Sequence, residues 1–529
     1  MTTLLLLVAA VIMLCVVANR FASKVGMPVL VCFIGLGMLF GVDGPMGIAY
    51  DDFVTTERVC SVALAFVMFY GGFGTKWETA KPVALKAILL SGLGVVLTAL
   101  SLTAFCGLVL RMDWMESFLV GAVLSSTDAA SVFSILRSKK LALKHGAAPL
   151  LEIESGSNDP VAYMLTTIAI SFITGGSNAI GYMLFAQIVY GVLIGVGIAA
   201  LAIFIMKKTN LLTTGMDTIF VIAVVLLSYA LPDMIGGNGY LSVYLTGIIL
   251  GNSKISNKKV LVPFFDGVTN LAQISIFFFL GLLSTPHKLP GVCGMALAIA
   301  LFLLVVGRPL MVFLLMGPFK AGWREQFCIS WAGLRGASSI VFAIFAMAQL
   351  DNLQYDLFHI VYMVALVSVL VQGTLLPWVA GKLQMVDGEE DVLKTFTDYQ
   401  EDSSLTLMRM FIPEGHNWAN RLVSEVHMPT DSLALMIQRN GETLVPRGDT
   451  RILAGDNVIL SVPTYRGNSD ISLREVPITQ GHDWCGKSIG ELNLPENVLI
   501  AMIRRGEQTM IPRGQTMLQD GDVVVVYDS

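Results

Sequence analysis

Charge is scarce in this sequence. Asp, Glu, Lys and Arg make up 14% of its 529 residues, against about 25% in a soluble domain, so most of the chain is built for a solvent other than water. The seven cysteines, at 15, 32, 60, 106, 293, 328 and 485, show no CxxC spacing and no accompanying His cluster. That leaves neither a disulfide framework nor a zinc site to read. The C-terminal part has no Gly-x-Gly-x-x-Gly turn after a strand, which argues against a dinucleotide-binding lobe and NAD control. A net charge of −5 gives no footprint for a nucleic-acid partner. No basic segment precedes the first apolar run, so the N-terminus reads as a retained span and not as a cleaved signal peptide.

What is abundant is apolar sequence, 55% of the chain. A spanning helix needs roughly 20 mostly apolar residues. Thirteen such stretches lie near 3–19, 27–42, 54–72, 83–110, 116–136, 147–174, 180–206, 213–231, 234–252, 264–284, 289–316, 325–350 and 355–381. Residues 1–382 are therefore predicted to form an α-helical polytopic membrane domain whose partner is the lipid bilayer. Alternate loops carry Arg20, Lys24, Lys76, Lys81, Lys86, Arg137, Lys139, Lys140, Lys144, Lys207, Lys208, Lys254, Lys258, Lys259, Lys320 and Arg324. The opposite loops offer Arg58, Arg111 and Lys288 beside Asp43, Asp51, Asp52, Asp233, Asp351 and Asp356. Basic loops collect in the cytoplasm, which predicts an outside N-terminus and a cytoplasmic C-terminus.

Past Val386 the character changes. An acidic linker at 383–403 leads into two copies of one small α+β unit, 404–466 and 467–529, related by a constant offset of 66. Gly415-His416-Asn417-Trp418 matches Gly481-His482-Asp483-Trp484, and Pro429 matches Pro495. Pro446-Arg447-Gly448 matches Pro512-Arg513-Gly514, and Gly455-Asp456 matches Gly521-Asp522. Each copy reads as strand, short helix and further strands, closing on an apolar strand (458–462; 523–527). A unit of about 60 residues has little core of its own, so the closing strands are expected to bury together, with a small regulator bound between the copies.

Ionisable residues inside a membrane are costly and mark function. The fifth span carries Ser125-Ser126-Thr127-Asp128, a run of small hydroxyl residues suited to an unwound backbone whose carbonyls face an ion cavity. The sixth opens with Glu152, Glu154 and Ser155-Gly156-Ser157-Asn158-Asp159-Pro160; Ser155 and Asp159, four apart, share a helix face. The twelfth holds Gly333-Leu334-Arg335-Gly336-Ala337, placing Arg335 where it requires an anionic partner. Glu152 and Asp266 read as interfacial, and Arg308 as a tie between helices. Asp128 alternatively caps the second half of a broken helix.

These three motifs, in this order, resemble the NhaP-type branch of the monovalent cation/proton antiporters across about residues 1–385. The resemblance implies that Asp159 carries the transported alkali cation with Thr127, Asp128, Ser155 and Asn158, and that Glu154 pairs with Arg335. It implies two inverted repeats, a homodimer and a bacterial inner-membrane location. The third span reads Phe69-Tyr70-Gly71, with Tyr70 where relatives often have a carboxylate. The tail copies resemble RCK/TrkA-C domains, which points to K⁺ over Na⁺ and to a nucleotide regulator such as cyclic di-AMP. Arg447 and Arg513 are the candidate phosphate contacts, by bidentate geometry. A single carboxylate that holds either one M⁺ or one proton predicts electroneutral exchange and no enzymatic activity. A tail-gated channel and a symporter for a small organic ion are the competing classes. No TVGYG-like filter loop supports the channel, and no added polar groups in the broken helices support the symporter.

Overall fold

The computed structural model describes residues 2–25, 29–128, 131–132, 135, 141–176, 180–208, 215–253, 255, 258–350, 352–387, 405–428, 432–439, 442–463, 473–492, 494, 498–505, 508–510 and 512–528. Arg137, Lys139, Lys140, Lys254, Asp351, Pro429, Pro495 and most of the linker lie outside them. The chain divides into two compact units, Met1–Gln400 and Glu401–Ser529.

In the first unit a helix occupies each expected apolar stretch. These are α1 (Thr2–Val25), α2 (Val29–Phe40), α3 (Phe53–Gly74), α4 (Ala84–Leu108), α5 (Trp114–Val123), α6 (Ala147–Ile173) and α7 (Ile180–Lys208). There follow α8 (Met216–Met234), α9 (Gly239–Gly251), α10 (Lys258–Leu283), α11 (Pro286–Phe319), α12 (Trp323–Trp331), α13 (Ala337–Gln349) and α14 (Leu357–Lys382). Among the described residues, seven helices are long and apolar enough to cross a membrane by length and composition, including α3, α4, α7, α8, α11 and α14. The stretches at 116–136 and 325–350 are broken, so α5 and the α12–α13 pair fall short of that length.

Three acidic residues at helix starts, Asp52, Asp113 and Asp356, have a structural reason. Asp52 accepts from the Thr55 N–H at 2.8 Å, Asp113 from Met115 at 2.8 Å and Asp356 from His359 at 3.2 Å. Each thereby caps the start of α3, α5 or α14, where free N–H groups and the positive end of the helix dipole favour a carboxylate. All three starts lie on the face away from the basic loops. On the basic face, Ala142–Leu143 pairs antiparallel with Val386–Asp387, tying the chain's exit from α14 to the loop before α6. Within the bundle, α3 and α9 touch backbone to backbone; a Cβ on Gly247 would stand 2.4 Å from the Phe69 carbonyl oxygen, so small residues set that approach.

The second unit has β1 (Leu405–Phe411), β2 (Leu433–Arg439), β3 (Glu442–Leu444), β4 (Asn457–Pro463), β5 (Leu473–Pro477), β6 (Val498–Arg505), β7 (Gln508–Met510) and β8 (Asp522–Asp528). They form two antiparallel sheets of identical order, β1-β4-β2-β3 and β5-β8-β6-β7. The closing strands β4 and β8 differ from expectation. They do not pair with each other; each runs through the interior of its own sheet, flanked on both sides. Val458 and Leu460 pack with Ile412 and Ile437 in one core, and Val524 and Val526 with Ile478 and Ile503 in another.

The copies agree in detail. Arg439 forks onto Asp456 through Nε and Nη2, both at 2.8 Å, and Arg505 onto Asp522 at 2.7 and 2.8 Å. Asn420 and Gly486, 66 apart, both adopt positive φ, +64° and +78°, a region open to Asn and Gly. The guanidinium beside Asp456 and Asp522 holds both carboxyls below the usual carboxylate range.

Candidate functional site

The site is made where two helices stop. α5 ends at Val123 and the backbone stays open through Asp128; α12 ends at Trp331 and α13 begins at Ala337. The two openings meet, with the Asp128 N–H donating to the Leu334 carbonyl at 2.8 Å. The Asp128 carboxylate accepts from Ser131 N at 3.2 Å and Ser131 Oγ at 2.6 Å in its own segment, and from Ala337 N at 3.4 Å across the crossing. It thus caps the restart of both broken stretches, meeting N–H groups that have no helical partner. Gly336 makes this approach attainable, since a Cβ there would fall 1.9 Å from Asp128 Oδ2.

Asp159, on α6, faces the same crossing. Ser126 Oγ donates to its Oδ1, and Ser126 Oγ and Ser338 Oγ share a hydrogen bond of 2.8 Å. Asn158 Nδ2 donates to Thr127 Oγ1, and Ser155 Oγ to the Thr127 carbonyl at 2.8 Å. All five residues expected at the ion are therefore brought together, and all are buried. Asn158 Oδ1 is buried with no hydrogen-bond partner among the described residues. Ser126 and Ser338 were not anticipated. Ser126 lies inside the quoted fifth-span motif and Ser338 one residue past the Gly333–Ala337 motif, but a hydroxyl on a membrane helix commonly bonds its own preceding carbonyl, as Thr98 and Thr166 do here, so sequence alone does not separate the two uses.

The expected Glu154–Arg335 pair is corrected. Glu154 pairs instead with Arg308 of α11, Nη2 lying 2.6 Å from Oε1 and 2.7 Å from Oε2, with both side chains buried. Arg335 donates through Nη1 to the carbonyls of Ser125 and Ser126, at 2.7 and 2.6 Å. The reason is local: the opening after α5 leaves carbonyls without N–H partners, and a guanidinium satisfies them. Arg335 N in turn donates to Ser368 Oγ at 3.0 Å, where α14 forms a π-helical turn. The Tyr70 hydroxyl donates to Asp266 of α10 at 3.2 Å. In the tail, Arg447 and Arg513 are exposed, each in a turn closed by its N–H on a threonine hydroxyl, Thr450 at 2.8 Å and Thr516 at 2.9 Å.

Two interrupted helices crossing beside a buried carboxylate in a polytopic bundle define a secondary transporter for small ions. The chain belongs to the sodium/hydrogen exchanger family, whose transmembrane model matches residues 7–382, with TrkA-C domains at 407–464 and 473–527. It is 34% identical over 450 residues to "K(+)/H(+) antiporter NhaP2" of Shewanella oneidensis, covering 83% of this chain and 78% of that one. It is 30% identical over 462 residues to "K(+)/H(+) antiporter NhaP" of Alkalimonas amylolytica, covering 86% and 80%. The solved sodium proton antiporter MjNhaP1 of Methanocaldococcus jannaschii shares the fold of the membrane unit, with a TM-score of 0.62 at 21% identity over 70% of this chain and 99% of that one.

Proposed function

We propose that this chain exchanges K⁺ or Na⁺ for H⁺ one for one across a bacterial plasma membrane, with Asp159 as the group that holds either ion. The observation that supports it most is the coordination left open beside Asp159. Asn158 Oδ1 is a buried oxygen with no hydrogen-bond partner among the described residues, and the Thr127 and Ser126 hydroxyls lie beside it and Asp159, a set suited to an alkali cation. Asp128 is already committed to capping two segments, so one carboxylate remains for the exchange. A site that carries one M⁺ or one proton returns with the same charge each way, which makes the cycle electroneutral.

K⁺ is favoured over Na⁺ by the likeness of the tail to TrkA-C domains, and relatives matched over more than 80% of this chain are named as K⁺/H⁺ antiporters. The distribution of basic loops supports an outside N-terminus and a cytoplasmic tail. All thirteen stretches cross in this reading, and the protein works as a homodimer. The tail regulates exchange by taking a phosphate-bearing nucleotide, such as cyclic di-AMP, on Arg447 and Arg513. In everted vesicles loaded with acid, K⁺ should dequench a pH dye at lower concentration than Na⁺ or Li⁺. No response to any of the three ions would end the exchange reading, and a Na⁺-only response would end the K⁺ preference.

A further inference from the structure

On the acidic face a cavity of 510 Å³ opens among the starts of α3 and α7 and the ends of α8 and α13. Its walls carry Glu57, Asp233 and Gln187, and its floor Tyr163, Tyr229 and Phe345. Gln187 is 3% exposed, and its Oε1 has no hydrogen-bond partner among the described residues. A buried carbonyl oxygen without a donor is unfavourable unless something coordinates it. Arg58 also lines the rim, so with the two carboxylates the cavity keeps one negative charge.

The aromatic lining links this cavity to the helix that carries the exchange site. Tyr163 follows Asp159 by one helical turn on α6, about 6 Å along the axis. Its ring packs edge-on to Tyr240 at 5.0 Å between centroids, and Tyr240 contacts Tyr229 at 5.2 Å and Phe342 at 5.9 Å. Tyr240 and Phe342 are fully buried. Aromatic faces tolerate a passing cation through their negative quadrupole while excluding bulk water.

We propose that the cavity is a second monovalent-cation site, in which Gln187 Oε1 and the carboxylates of Glu57 and Asp233 hold an alkali ion on the acidic side of the aromatic floor. The ion's onward path to Asp159 rests on the exchange reading, whereas its binding in the cavity does not. Two measurements on full-length protein test this. In proteoliposomes, with sidedness assigned from protease access to the tail, half-saturating K⁺ is measured from each face. Gln187→Leu should raise it on the order of fivefold from the acidic face, the scale of one lost neutral contact. The value from the basic face should stay in place, and Gln187→Glu, which keeps an oxygen, should restore wild-type affinity. An unchanged value, or an equal change from both faces, overturns the site.

The second measurement needs no transport. In Asp159→Asn protein, K⁺ in place of choline should still raise the melting temperature, and adding Gln187→Leu should remove that rise. If Asp159→Asn alone removes it, the cavity holds no cation. Wild-type protein that moves neither K⁺ nor Na⁺ would defeat the exchange reading, while the melting experiment would still decide the cavity.

Discussion

In the membrane unit three buried charges, Asp128, Asp159 and Arg335, meet where helices are interrupted; in the tail the buried carboxylates Asp456 and Asp522 sit at turns repeated 66 residues apart. Asp128, Arg335 and Asp159 all meet at the openings after α5 and α12, and each has at least one partner from a distant span. Asp456 and Asp522 meet arginines 17 residues earlier, in the same copy and with the same geometry. The first arrangement joins elements distant in the chain, and the second locks a local loop. A charge at a site where distant elements cross is expected to couple to function, while one locking a loop is expected to couple to stability alone.

The largest stability effect should come from the buried pair of Glu154 and Arg308. Removing one partner of such a pair costs about 3–5 kcal/mol, because the other charge is left alone. Glu154→Gln and Arg308→Leu should each lower the melting temperature strongly, and the double variant should lose clearly less than the sum. Coupling that is larger between Glu154 and Arg335 than between Glu154 and Arg308 would restore the pairing implied by family resemblance. Gly336→Ala comes next. A methyl group 1.9 Å from Asp128 Oδ2 must push the two openings apart, at about 1–3 kcal/mol, and exchange should fall far more than stability does. Near-normal exchange in that variant would show that the crossing need not be this tight.

In the tail, Asp456→Asn and Asp522→Asn should each cost about 1–3 kcal/mol, with similar values because the two forks are alike, and exchange by the full-length protein should persist. The pH dependence has a definite sign. Both carboxyls are held below their ordinary value of 3.8, first of all by the arginine hydrogen bonds. Their contribution is therefore complete above that value and is lost as the pH falls through the lower folded one. The melting temperature of the 403–529 fragment should be flat near neutrality and drop in acid below about pH 4; a rise there would contradict the assignment. The smallest effect belongs to Arg447→Ala and Arg513→Ala, within about 0.5 kcal/mol for exposed side chains. Calorimetry should nevertheless lose the heat of cyclic di-AMP binding in both. Heat that survives the double substitution would move the ligand elsewhere.

The same contrast explains what could be read in advance. The tail repeat was legible because its partners lie close in sequence and recur, so Gly455-Asp456 and Gly521-Asp522 announced the turns. Asp159 and its neighbours were legible because carboxylates, amides and hydroxyls rarely crowd one membrane helix. The partner of Glu154 was not. Arg308 and Arg335 are both buried, and the choice between them depends on which guanidinium the bare carbonyls of Ser125 and Ser126 claim, a matter of how two helices cross. The closing strands were misjudged for a related reason: an apolar strand reads the same whether it is covered by a second copy or enclosed in its own sheet.

Asp159 carries the whole account, and its conservative substitution is the sharpest test. Asp159→Asn, purified and reconstituted beside wild-type and Asp128→Asn proteins, should show no K⁺- or Na⁺-driven proton release at any pH, with its melting temperature close to that of wild type. Asp128→Asn should lose stability as well as rate, since its carboxylate caps two segments. Ion-driven proton release by Asp159→Asn at the wild-type rate would contradict the assignment of the exchanged ion to this carboxylate.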